Sequence, residues 1–86
     1  MSTPVPITVY GRENCHLCAL AKTQIKRASD AADVPVEVTE IDVDSDPTLV
    51  DEYGDKVPCV FVDGWPAFSS HVDPDELQSQ LEQHES

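Results

Sequence analysis

The sequence predicts an α/β domain in which a four-stranded mixed sheet is flanked by helices, with the elements in the order βαβαββα. Three observations carry that prediction. Short runs rich in β-branched and aromatic residues alternate along the chain with segments whose apolar residues recur every three or four positions, the two periods that separate strands from helices. Two helix starts are spelled out, Asp46-Pro47 and Asp73-Pro74 with Glu76, because an acceptor side chain followed by proline suits the free N–H groups of a first turn. Between the last two strand-like runs stands Asp63-Gly64, a pair that tolerates the positive φ angles of a two-residue hairpin.

The elements follow in order. Ile7 to Tyr10 (ITVY) is a buried strand that stops at Gly11. From His16 to about Ser29 there is no glycine or proline, and Cys18, Ala21, Ile25, Ala28 and Ala32 form one apolar stripe, with Lys22 and Lys26 facing outward. Val36 to Asp42 (VEVTEID) alternates apolar and polar residues after Pro35, as a second strand does. A short helix opens at Asp46-Pro47, carries Leu49, Val50 and Tyr53 on its apolar side and stops at Gly54. Val57 to Val62 (VPCVFV) is nearly all apolar and so is expected inside the sheet, and the hairpin then leads into Trp65 to Phe68. Asp73, Pro74 and Glu76 make a capping box for the last helix, with Val72 and Leu77 as its hydrophobic staple and Leu77 and Leu81 on its buried side. This order fits the thioredoxin fold.

The chain of 86 residues is one domain, 1–86, with 1–5 and 83–86 expected to be frayed. Five basic residues against seventeen acidic ones give a net charge of −12, which disfavours any surface that must lie along nucleic acid or anionic lipid. Four of the five cations, Arg12, Lys22, Lys26 and Arg27, nevertheless fall around one cysteine pair, where Glu13 is the single acid. They are read either as solvated helix faces or as a docking field. The amino terminus has neither the basic region nor the apolar run of a secretory signal, and no stretch is long enough to span a bilayer. A cytoplasmic monomer is expected, with no membrane and no nucleic-acid partner.

In a reducing compartment three cysteines do not make a disulfide scaffold, so the close pair Cys15-His16-Leu17-Cys18 is read as redox-active or metal-binding. The pair lies between a strand and the first turn of a helix. There the free N–H groups and the positive end of the helix dipole lower the pKa of Cys15, and Arg12 and a protonated His16 would add to the shift. Cys18, on the apolar stripe, is expected to be less exposed. That asymmetry suits disulfide exchange: Cys15 attacks a substrate disulfide and Cys18 resolves the mixed disulfide. No bound cofactor is needed, only a thiol or reductase as external electron donor and a disulfide-containing protein or small-thiol substrate. The alternative is a metal or iron–sulfur module built on the same two thiolates, although the other candidate ligands, Cys59, His71 and His84, supply no second close pair. An adaptor docking a basic partner is a third class.

Val57-Pro58 is the second chemical element, since an X-Pro bond opening an interior strand is read, beside the CxxC, as a cis peptide whose preceding backbone, at Val57, is available to an extended substrate, the alternative being a plain edge-strand proline. Tyr10-Gly11-Arg12-Glu13-Asn14-Cys15-His16-Leu17-Cys18, followed by Val57-Pro58 and the Asp63-Gly64 hairpin, resembles the glutaredoxins over nearly the whole chain, and more narrowly a short glutaredoxin-like branch with the motif CHLC. The resemblance implies a thioredoxin fold, Cys15 as nucleophile, Cys18 as its partner, Pro58 as the cis proline, and Arg12 in place of a substrate-binding lysine. His16 and Leu17 stand where glutaredoxins usually carry proline and tyrosine. Trp65 to Val72 has no glycine, so the resemblance does not extend to the Gly-Gly pair that grips glutathione. Cys59 is read as a buried structural thiol, Trp65 and Phe68 as core or rim packing flanking the active end, and His71 and His84 as surface residues.

Overall fold

The computed structural model describes residues 3–13 and 15–84; expectations for the extreme termini and for the side chain of His84 lie outside the described residues. Strand β1 (Val5–Gly11) leads into helix α1 (His16–Ala32) and returns as β2 (Val36–Asp42). A 3-10 turn (Val43–Ser45) and helix α2 (Pro47–Tyr53) connect to β3 (Cys59–Val62), β4 (Trp65–Ser69) and α3 (Pro74–His84). The sheet order is β2-β1-β3-β4. β2 runs parallel to β1, from Val5 opposite Val36 to Gly11 opposite Asp42, while β3 and β4 are antiparallel to their neighbours. This is the mixed βαβαββα thioredoxin fold predicted from the sequence. No helix among the described residues is long and apolar enough to cross a membrane.

The period-2 alternation of β1 and β3 sends Val5, Ile7, Val9, Val60 and Val62 to one side of the sheet, where Ala21, Ile25 and Ala28 of α1 meet Leu77 and Leu81 of α3. The α1 stripe is buried throughout, Cys18 included, and its alanines let the helix approach closely. On the opposite side the shorter α2 covers the sheet with one aromatic residue. Tyr53 stacks on Tyr10 at 4.6 Å between ring centroids, and both meet Phe61 edge-on. The hairpin turns through positive φ at Asp63 (52°) and Gly64 (83°), as Asp-Gly predicts. Asp73 caps α3 through its Oδ1, which accepts from the N–H of Asp75 at 3.0 Å and of Glu76 at 3.4 Å.

Several boundaries differ from expectation for identifiable reasons. Ordered structure reaches into the stretches assigned to fraying: the Val5 N–H donates to Pro35 O at 3.0 Å, and α3 takes in Gln83 and His84. α1 continues past Ser29 to Ala32 and closes on Asp33 in the left-handed region (φ 54°, ψ 41°), a conformation that Asp tolerates better than most side chains. β3 starts at Cys59 and not at Val57, because Pro58 has no N–H to give the ladder. Trp65 is neither core nor rim packing: it is 74% exposed, at the end of the sheet remote from the cysteines, where it pairs with Val62. Phe68 does pack against the core.

Candidate redox site

Cys15 is the N-cap of α1, with extended backbone (φ −97°, ψ 108°). Its Sγ accepts from the Cys18 N–H at 3.1 Å, and its carbonyl accepts from the Ala19 N–H at 3.2 Å. Sulfur here takes the place of the Ser or Asp oxygen that usually satisfies a first-turn donor, and a thiolate accepts more strongly than a thiol. Cys15 and Cys18 are joined as a disulfide with Cα atoms 5.2 Å apart. Cys15 is half-buried and Cys18 buried, the asymmetry that the sequence predicts.

The end of β1 makes room for the inner sulfur. A Cβ at Gly11 would lie 2.9 Å from Cys18 Sγ and 3.3 Å from Cys18 Cβ. Gly11 has no positive φ, so the glycine there serves space and not backbone conformation. Gly54 behaves similarly at the end of α2: its φ is −54°, and a Cβ would come 2.5 Å from the Val50 carbonyl oxygen and 3.2 Å from an Arg12 guanidinium nitrogen.

Beside the pair an open cleft of about 630 Å³ runs between the start of α1 and the end of β2, lined by Gly11, Arg12, Glu13, Cys15, His16, Cys18 and Lys22 on one side and Glu40, Ile41 and Asp42 on the other. Arg12 Nε pairs with Asp44 at 3.3 Å and Lys22 Nζ with Glu40 at 3.1 Å. His16 and Leu17, between the cysteines, point outward, as does Leu20 one turn on. The Val57–Pro58 peptide is cis and Pro58 is buried. Since Tyr10 pairs with Cys59, one further step of the antiparallel register brings Pro58 level with Gly11, at the cysteine end of the sheet. Among the described residues no hydrogen bond engages the Val57 backbone.

Of the residues singled out in the sequence, Arg12, Cys15, His16 and Cys18 share the cleft, and Val57-Pro58 sits at the same end of the sheet outside it. Cys59 is buried on the aromatic side, its Sγ donating to Lys56 O at 3.4 Å, and burial raises its pKa against the opposing pull of Lys56. His71 is exposed. Among the described residues no three His, Cys, Asp or Glu side chains come together in a way that could hold a metal ion. Glu40, Asp42 and Asp44 were not singled out. Their signal is long-range, because the parallel β1–β2 register that sets Asp42 beside Gly11 is not written in either strand alone.

The family model described as Glutaredoxin-like domain (DUF836) matches residues 6–82. A search of curated proteins finds no match. Among solved structures the chain is similar to protein Ne2328 from Nitrosomonas europaea (26% identity, TM-score 0.76, covering 94% of this chain and 95% of that one). It is also similar to target protein XcR50 from X. campestris (25%, 0.74, 90% and 96%). The thioredoxin of Malassezia sympodialis shares the fold (23%, 0.57, 99% and 78%).

Proposed function

This chain belongs to the glutaredoxin-like domain family, and from that membership we propose that it is a thiol–disulfide oxidoreductase working by dithiol exchange through Cys15 and Cys18. The observation that carries the proposal is the disulfide placed at the N-cap of α1, one sulfur half-buried and the other buried. In the reduced protein the Cys15 thiolate is stabilised by the Cys18 N–H and the helix dipole. It attacks one sulfur of a substrate disulfide and releases the other as a thiolate, forming a mixed disulfide. The Cys18 thiol then loses its proton to solvent and attacks Cys15 Sγ, releasing the second half of the substrate and leaving Cys15–Cys18 oxidised. Two electrons have passed to the substrate, and an external thiol or thiol reductase restores the pair.

The unpartnered backbone of Val57, ahead of the cis Pro58, is the candidate surface for an extended substrate segment. His16, the first residue of α1 and set between the two cysteines, tunes the potential. Arg12, paired with Asp44, ties the loop carrying Cys15 to the 3-10 turn and meets substrate only with its free side. The same reading places the protein in the cytoplasm, where a thiol donor is at hand. Replacement by serine tests the roles. Cys15→Ser should abolish disulfide reduction, while Cys18→Ser should accumulate a mixed disulfide at Cys15 detectable by mass. Undiminished turnover in Cys15→Ser would rule the assignment out.

A further inference from the structure

We infer that the redox site selects by charge, favouring disulfides flanked by positive groups and disfavouring those that carry carboxylates. The inference rests on the dithiol-exchange reading above and concerns the cleft beside Cys15. The cleft between the start of α1 and the end of β2 is the concavity that opens beside Cys15, so the half of a substrate that does not lie along Val57 meets its walls.

Cations crowd this stretch of the sequence, yet the two that reach the cleft are met by carboxylates from other elements. Arg12 is 3.3 Å from Asp44 and Lys22 is 3.1 Å from Glu40. A pair held that closely acts on a third charge only as a dipole, whose field falls away faster than that of either ion. The remaining carboxylates on the lining are Glu13 and Asp42, both exposed. Asp42 Oδ1 accepts from the Asp44 N–H at 2.9 Å, which holds its carboxylate at the rim. Apart from His16 and the positive end of α1, which acts on Cys15 itself, the residual side-chain charge along the lining is therefore negative. It lies in a concavity, where low-dielectric walls concentrate the field, and the net charge of −12 adds a long-range component of the same sign. A cationic disulfide is drawn in; an anionic one is opposed on approach.

The test uses the reduced full chain at pH 8 and three small disulfides of similar size: cystamine (cationic), bis(2-hydroxyethyl) disulfide (neutral) and 3,3′-dithiodipropionate (anionic). Each second-order rate is divided by the rate of a neutral dithiol with the same disulfide, which removes leaving-group differences. The expected order is cationic, neutral, anionic, with about tenfold between the extremes at low ionic strength, shrinking to about twofold at 0.5 M salt, where the screening length is about 4 Å. The double variant Glu13→Gln/Asp42→Asn should compress the ratio severalfold. The control Asp30→Asn/Glu37→Gln, at the far end of α1 and the start of β2, should leave it nearly unchanged. Equal rates, a reversed order, or equal compression by the control pair overturns charge selection by the cleft while leaving disulfide exchange intact. Failure of all three disulfides to outpace the neutral dithiol strikes the exchange reading itself.

Discussion

Replacing Gly11 with alanine separates two explanations of that glycine with opposite signs. Gly11 is in a strand, without positive φ, so a methyl group alone should stabilise the protein by about 0.5–1 kcal/mol through lost freedom of the unfolded chain. The site says otherwise. The new methyl would stand 2.9 Å from Cys18 Sγ and 3.3 Å from Cys18 Cβ, inside the ~3.5–4.0 Å optimum for such contacts, and overpacking of this kind costs about 1–3 kcal/mol. The net expectation is a loss of about 1–2 kcal/mol in the oxidised protein. In the reduced protein Cys18 Sγ is free to turn about χ1, so part of the clash is relieved. If relief amounts to about 1 kcal/mol, the oxidised form is disfavoured by that much and the reduction potential rises by about 20 mV, since 30 mV corresponds to about 1.4 kcal/mol for two electrons. Guanidinium unfolding of both redox forms gives the stabilities, and equilibration against a dithiol buffer gives the potential. A Gly11→Ala protein as stable as the parent, with the same potential, would refute the packing argument.

Other outcomes follow from the same structure. Leu81, fully buried between α3 and the sheet, should cost about 2–5 kcal/mol when cut to alanine, read as a lower guanidinium midpoint. Asp73→Ala removes the acceptor for two first-turn N–H groups and should cost about 1 kcal/mol, with helix loss confined to α3 in hydrogen exchange. Burial raises the Cys59 pKa above its ordinary 9.0, so the native state retains this proton where the unfolded state has lost it. Stability should therefore fall as pH climbs through and above the ordinary thiol range; Cys59→Ala should flatten that slope, and alkylation of Cys59 should require unfolding.

What could be read from the sequence was local, and what could not was set by contacts between distant segments. The capping box at Asp73, the Asp63-Gly64 turn and the α1 stripe depend on residues a few positions apart, so each is complete within its own window. Cys15 at the start of a helix is equally local. The cations Arg12 and Lys22 illustrate the converse. Their neighbours in sequence left their charges free, but the β1–β2 register and the 3-10 turn set Glu40 and Asp44 against them. Trp65 failed for a related reason: hydrophobic size predicts burial, whereas an edge strand at the far end of the sheet has nothing to cover an indole. Asp33 ended α1 without the glycine that normally marks such a stop, and a side chain able to enter the left-handed region leaves little trace in a sequence.

The exposed Trp65 also determines how the protein can be watched. It is the single tryptophan, it is 74% exposed, and it stands at the level of Ile7 through Val62, roughly 13 Å of strand from Gly11. An indole already in water has little further to red-shift on unfolding, and one so far from the disulfide is not quenched by it. Tryptophan emission should be nearly silent to both events. The stacked Tyr10 and Tyr53 rings are the better optical handle, because near-ultraviolet circular dichroism of that pair depends on α2 being docked on the sheet.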